Sequence, residues 1–500
     1  MKFFRTLISF IAVICITAIP ALAGSEFLMA GYDPEEVYRN WESNQFFERM
    51  EERSGISFNF NQFSDKKAWQ DELVCYKSKE NLPDVLFKAE LSPAMMMELY
   101  SEGVIIDLKP YLAEYAPNLW KLLSDNPEYM AETSLPTGEI VALPHIDFMP
   151  LQNCMWINTK WLSRLGISMP DNRESFTEML LAFKNDDPNG NGSNDEIPLS
   201  FIGAYDLKYL AHAFGIVAND FNIYEKDGKA YFAPLDTEFR NFIKWLRELY
   251  DNKLLDEQGF FQADMLRRVT DAKSTQKYGV LIYPIVSQVL PQEWSKDYSV
   301  IPPLEFNGKR IYRRLSSPVT SGTFAITSKC ESPETMLKWV DYLYSLEGAI
   351  LASEGIENID YVIDGDGSWR KTASAQSADF LSRTAITTGA APPGITSTSF
   401  QDKFFDDNVR HITQQIKLMS DYVVSAFPPI KLSFEQEEEL IPMQNEIGRY
   451  VDESIARWVI GEWEVDDESF KEFENGLKDR RLESFMVFWQ QLLDNGKEAK

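Results

Sequence analysis

The chain has 500 residues, 44% hydrophobic and 25% charged, with 49 basic against 77 acidic side chains and a net charge of −28. That apolar content rules out wholesale disorder, and the acidic surplus argues against nucleic acid or an anionic membrane surface as a partner. Four cysteines make no disulfide scaffold, and three histidines leave little room for a zinc site or a histidine-centred catalytic machine.

In chain order, Lys2 and Arg5 precede an apolar run from Leu7 to Ile19, then Pro20 and Ala21-Leu22-Ala23. This is the layout of a secretory leader over 1–23, cleaved after Ala23. The run is shorter than the ~20 residues a spanning helix needs. Cys15 follows the bulky Ile14, so no lipobox is recognised. A soluble protein outside the cytoplasm, secreted or periplasmic, is expected. Of Cys75, Cys154 and Cys330, one disulfide with a free thiol and three thiols are both open.

Phe27–Tyr32 reads as a short strand, and Asp33-Pro34-Glu35-Glu36 as a helix start whose helix carries Val37, Trp41 and Met50. Ile56, Phe58 and Phe60 alternate as a strand does. Asp65 can cap a helix bearing Trp69 and Leu73. Val85–Phe87 reads as a buried strand, and Ser92-Pro93 opens another helix. This β-α alternation predicts a doubly wound sheet with ligands at the carboxyl ends of its strands.

A second stretch starts at Met155-Trp156-Ile157. Helical patterns follow around Trp161–Leu165, Phe176–Phe183 and Phe239–Leu249. Tyr278–Pro284 and Thr323–Ile326 read as strands, the latter leading into a helix at Pro333–Leu346. Residues 364–400 are rich in turn formers. Phe470, Phe473, Leu477, Leu482, Phe485 and Trp489 recur at near-helical spacing, and Glu435–Glu439 reads as a solvated acidic face.

The sharpest local signal is Asp187-Pro-Asn189-Gly-Asn191-Gly192-Ser193-Asn-Asp195-Glu196. Side-chain oxygens fall at the first, third and fifth positions, glycine at the sixth, and Ser193 can offer its carbonyl at the seventh. Calcium takes about six to eight hard oxygens in a flexible cage, whereas magnesium demands tighter octahedral geometry. A two-helix calcium hand closes with Glu at its twelfth position. Here that position is Pro198 in an extended Ile197-Pro198-Leu199, so a helix–loop–strand site for structural Ca²⁺ is expected. Asp364-Gly-Asp366-Gly reads as a plain turn.

Further residues carry a resemblance. Leu82-Pro83-Asp84-Val85 and Gly103–Leu108 precede Asn158-Thr159-Lys160-Trp161-Leu162, Leu165-Gly166-Ile167 and Pro170. The Asp187–Glu196 loop and Ser321-Gly322-Thr323-Phe324-Ala325-Ile326 follow. This ordered set resembles the extracellular solute-binding proteins, family 1, of ABC importers, particularly the oligosaccharide-binding branch. The resemblance implies a two-lobed α/β fold, each lobe a doubly wound sheet flanked by helices, with a hinge between them. Lobe 1 would comprise 24–153 and 321–390, and lobe 2 would comprise 154–320 and 391–500. It also implies no catalysis, a monomeric state for a protein that closes on an oligosaccharide, and a partner in the importer's membrane permease subunits. In the loop, Asp187, Asn189, Asn191, Asp195 and Glu196 would bind calcium through side chains and Ser193 through its carbonyl.

Sugar recognition needs flat aromatic faces and planar polar groups. The candidates are Lys88 and Glu90 after Val85–Phe87, Asp147 before the first crossing, Tyr283 after Val280-Leu281-Ile282, and Trp294 and Trp369 in turn-rich surroundings. Trp156 is expected to pack under the hinge. Lys88 favours an acidic sugar and the chain charge a neutral or cationic one, so ligand charge stays open. The residues also leave open a secreted glycoside hydrolase, whose two carboxyl groups would stand ~5–9 Å apart. A surface or sensor-associated binding protein for another solute, such as a peptide, is open too.

Overall fold

A computed structural model describes residues 26–35, 39–149, 152–261, 268–270, 273, 275–377, 379–396, 403 and 407–498. The expected leader, Cys15 and Val37 lie outside them. The strands are, in order, β1 (Glu26–Tyr32), β2 (Ser57–Phe63), β3 (Val85–Phe87), β4 (Leu143–Asp147), β5 (Cys154–Asn158), β6 (Ile197–Ser200), β7 (Ile223–Lys226) and β8 (Lys229–Phe232). Then come β9 (Tyr278–Tyr283), β10 (Tyr298–Val300), β11 (Tyr312–Arg313), β12 (Val319–Ile326), β13 (Tyr361–Ile363), β14 (Trp369–Lys371), β15 (Gly394–Thr396) and β16 (Val423–Val424).

Sheet one has the order β15-β4-β12-β3-β1-β2, parallel across β1, β2 and β3 and antiparallel on both sides of β12. Its strands alternate apolar residues to both faces. Met29, Phe87 and Phe324 meet the helices Gln45–Ser54 and Pro333–Asp341 in one core. Ala30, Leu86 and Ala325 meet Lys66–Cys75 and Pro93–Ser101 in another. Sheet two has the order β10-β5-β9-β6. It shares a single core with helices Arg173–Asn185 and Thr237–Asp251, and with the three C-terminal helices Phe434–Ile460, Asp467–Asp479 and Leu482–Glu498. The aromatic repeat from Phe470 to Trp489 is the buried stripe of the last two.

The expected caps at Asp65 and Ser92 are present: Asp65 accepts from the Ala68 amide at 2.7 Å and Ser92 from Met95 at 3.1 Å. The helix start at Asp33-Pro34 is corrected. Among the described residues Glu35 lies in a 3-10 turn, Trp41 in the 3-10 helix Trp41–Ser43, and Met50 in the α-helix Gln45–Ser54 behind an Asn44 cap, while the Asp33 carboxylate is bound by Arg39, Trp41 and Lys88. Sheet membership also differs from the expected segments: β12 starts at Val319, and β15 pairs parallel to β4, so 394–396 sit in lobe one. β4 would otherwise leave an unpaired edge beside the crossing. Cys75, Cys154 and Cys330 are all free thiols.

Among the described residues the chain passes from sheet one to sheet two between β4 and β5 and returns between β11 and β12. Gln152 staples these crossings, donating to the Arg313 carbonyl at 2.7 Å and accepting from the Leu315 amide at 2.9 Å.

In lobe two the buried His212 sits with Nδ1 2.6 Å from the Tyr209 carbonyl and Nε2 2.9 Å from the Leu304 amide, so the proton is on Nδ1. Burial holds its imidazole down at about 4, against an ordinary 6.5. The unfolded chain therefore binds more protons between those values. Stability is complete above 6.5 and falls with pH through that window. Between pH 7 and 5 this residue should account for about 2 kcal/mol of lost stability. Denaturant titrations of wild type and His212→Gln at both pH values check it; equal pH slopes would refute it.

Candidate functional site

In open α/β sheets the carboxyl strand ends form the ligand crevice. In lobe one, β3 runs into Lys88 and Glu90, both left-handed at φ 51° and φ 47°. Such backbone is costly for residues with a side chain and collects at functional sites. It is held by the amides of Ala89 and Leu91, which donate to Thr323 and Gly322 carbonyls at 3.1 and 3.0 Å. Gly322 is required here: a Cβ on it would lie 2.2 Å from the Leu91 carbonyl oxygen, and its φ is +76°. The same stretch carries a register shift between Thr320 and Phe324 against β4, which turns the exposed Thr320 outward at the sheet edge.

The sequence-predicted residues fall into different roles. Lys88 is fully buried and is corrected as a cation for ligand: its ammonium donates to Asp33 at 2.5 Å and to the Ile386 and Thr388 carbonyls at 3.0 and 2.9 Å. Glu90 stays at the edge, paired with Lys66 at 2.8 Å. Asp147 is half-buried and accepts from the Met149 amide at 2.9 Å, which shapes the first crossing. Tyr283 is half-buried at the end of β9, and its carbonyl accepts from the indole of the buried Trp156 at 2.8 Å. Trp156 itself is fully buried in the core of sheet two. Trp294 lies half-buried on the short helix Gln292–Ser295. Trp369 stacks on Tyr361 with centroids 4.6 Å apart and planes 5° apart, and Lys403 lies 5.7 Å from its ring. Those contacts commit its faces to the hairpin β13–β14.

Sequence reasoning missed Tyr205 and Phe148. Tyr205 follows β6, is 37% exposed, and has the Arg313 guanidinium 5.5 Å from its ring centre. Its turn is fixed by Asp206, which accepts from the Ile202 amide at 2.8 Å and from Arg268 at 3.3 Å, while Arg268 donates to the Ile282 carbonyl of β9. Burial pushes the Asp206 carboxyl up, and Arg268 opposes that shift. Arg313 is itself paired with Asp220. Phe148, just past Asp147, is 42% exposed. Aromatic exposure beyond a strand end was the available signal, but the loop after β6 reads as an ordinary helix start from sequence alone. Thr320, Phe148 and Tyr205 are exposed and Tyr283 is half-buried, each at or just beyond a strand of one of the two sheets.

A separate cavity of ≈ 340 Å³ lies between the lobes against the crossing at 314–317, lined by Glu132, Ser317, Phe427, Lys431 and Trp489 among others. None of the strand-end residues just described lines it.

The Asp187–Glu196 loop folds as its sequence implies. Asp187 Oδ1 accepts from the Gly190 and Asn191 amides at 2.9 and 3.1 Å, and its Oδ2 accepts from Gly192 at 3.0 Å. Asn189 and Asn191 accept from the amides two residues on at 2.9 and 2.7 Å, and both donate to Asp195. Gly192 takes φ +78°, as the sixth position requires. Both Glu196 carboxylate oxygens are buried without a hydrogen-bond partner. Burial, then the fields of Asp195 and Asp187, raise its pKa. Among the described residues no three His, Cys, Asp or Glu side chains form a ready metal cluster. This donor set is half amide and carbonyl oxygen, which is calcium chemistry.

A family model described as bacterial extracellular solute-binding protein matches residues 52–350. The fructooligosaccharide ABC transporter substrate-binding protein FusA of Streptococcus pneumoniae is 31% identical over 312 residues, 60% of this chain and 57% of that protein. The chain thus spans less than two thirds of this curated relative. FusA solved with kestose covers 95% of this chain and all of its own, at 24% identity and TM-score 0.66; its EF-hand mutant with fructo-nystose gives 23% and 0.65. An extracellular solute-binding protein from Bifidobacterium longum subsp. infantis covers 94% of this chain and 98% of its own, at 18% identity and TM-score 0.74.

Proposed function

We infer function from one premise: the chain belongs to the bacterial extracellular solute-binding proteins. We propose that it is the substrate-binding protein of an ABC importer, a monomer that takes an oligosaccharide between its lobes and passes it to membrane permease subunits unaltered. The leader at 1–23 would place it outside the cytoplasm. The observation that carries this reading is the 31% identity to a fructooligosaccharide-binding protein across 312 residues. Solvent-accessible groups near the strand ends suit it, since Tyr205, Tyr283 and Phe148 could offer faces to C–H-rich sugar surfaces and Thr320 a hydroxyl. Hinge closure would follow from ligand contacts that differ between open and closed lobes.

Kestose titrated into the purified protein should bind, compact it in solution scattering, and be recovered uncut. Tyr205→Ala should weaken that binding by about tenfold, the loss of one aromatic contact worth ~1–1.5 kcal/mol. A protein that binds no member of a neutral oligosaccharide panel, or that cleaves one, would overturn the reading.

The 187–196 loop holds a structural calcium ion in this proposal. Asp187, Asn189, Asn191, Asp195 and Glu196 bind through side chains, and Ser193 through its carbonyl. The orphaned Glu196 carboxylate supports it, because an anion buried without donors calls for a cation.

A further inference from the structure

The 340 Å³ cavity beside the crossing is walled by charge from both lobes. On lobe one, the helix Pro127–Thr133 presents Glu128 and Glu132 one turn apart. Arg314 belongs by its backbone to lobe two, its amide donating to the Val424 carbonyl at 3.1 Å, yet its guanidinium pairs with Glu128. Lys431, from the segment after β16, crosses to the Ser134 carbonyl at the end of the same helix and faces Glu132 across the cavity. Ser317 on the crossing donates to Glu132.

We propose that the acidic face of helix Pro127–Thr133, with Arg314 and Lys431, is an inter-lobe lock that sets the resting angle of the hinge without touching ligand. The Arg314–Glu128 and Lys431–Ser134 contacts join groups of the two lobes, so a rotation of the lobes would separate them and each biases the present conformer. The groups are half-buried, which strengthens the contacts, but the Arg314 and Glu128 side chains keep 23% and 39% of their exposure, so molar salt still weakens them. Burial pulls the Lys431 ammonium down to about 8, and the Glu132 field works to keep it charged. The empty volume among them leaves room for the lobes to shift once the contacts are removed.

The test needs no sugar, so it stands apart from the proposed ligand. Fluorophores are placed at the exposed Glu52 of lobe one and Lys160 of lobe two in a Cys75→Ser background, and the ligand-free lobe separation is read by energy transfer. Lys431→Gln keeps a donor for Ser134 but drops the charge, and Glu132→Gln keeps the Ser317 acceptor. Both should reduce the population at the wild-type distance about tenfold relative to other separations. Arg314→Gln, at the other end of the helix, should move the distribution the same way. Wild-type distributions in folded Lys431→Gln and Arg314→Gln would overturn the lock. If a variant fails to fold, molar salt on the wild-type protein decides: an unchanged separation counts against it.

Discussion

Asp33→Ala should lose about 3–5 kcal/mol of stability, the penalty for stranding buried cations without their counter-ion. Asp33 receives Arg39 at 2.7 Å, Lys88 at 2.5 Å and the Trp41 indole at 3.0 Å, and all three charged side chains are sealed from water. Arg39 cannot discharge, so the variant must hydrate it or distort. Lys88 has an easier exit, since burial already pulls its ammonium down to about 7. That difference makes a sharp control. Lys88→Met should cost less, because Asp33 keeps Arg39 as its counter-ion and the Trp41 indole as a donor, so no buried charge is stranded. Urea titration of both variants measures this, and equal losses would show that the cluster does not act through Asp33. The consequence reaches the cleft: Arg39 and Lys88 also hold the Thr388 carbonyl, so the cluster ties β1 and β3 to the chain leading into β15.

The same cluster shows where sequence reasoning stops. Local chemistry was readable wherever it acts locally. Asp65, Ser92 and Asn158 cap the helices that follow them, and Val85–Phe87 and Tyr278–Tyr283 are the buried strands their apolar runs imply. Asp33 followed by Pro34 carries an equally good cap signal. Its carboxylate is bound instead by Arg39 and Trp41 nearby and by Lys88, 55 residues on, and a buried charge pair outweighs a cap worth ~1 kcal/mol. Lys88 misled for the complementary reason: a lysine at a strand end looks like a ligand group until the chain at 386–388, hundreds of residues on, closes over it. β15 is a three-residue strand inside a turn-rich stretch, with too little pattern to announce itself; only the open edge of β4 recruits it. Tyr205 was hidden likewise, since its exposure depends on Arg268 pinning Asp206 from a different element.

The 187–196 loop, proposed above to hold calcium, inverts that lesson, because its signal is local and its expected consequence is global. Chelation should lower the melting temperature by about 5 °C, and added calcium should restore it. The figure follows from linkage: an ion at a hundred times its dissociation constant stabilises by about 2.7 kcal/mol, set against the unfolding entropy of a lobe of ~270 residues. Structurally, Asp187 and Asp195 accept from loop amides, whereas both Glu196 carboxylate oxygens are buried without a hydrogen-bond partner. Burial raises the Glu196 pKa, and the fields of Asp195 and Asp187 add to that, so a cation bound there would stabilise its charge. The loop joins helix Arg173–Asn185 to β6, and β6 delivers Tyr205 to the cleft, so disorder there should reach the ligand edge through the β6–β9 pairing. Asp187→Ala removes both a ligand and the acceptor for three amides, so its melting temperature should start low and ignore calcium. Glu196→Gln is the cleaner probe: it fills the same space and keeps no charge. It should melt near the chelated wild type with or without the ion. A wild-type melting curve indifferent to chelator, or a Glu196→Gln curve that still rises with calcium, would remove the ion from this loop.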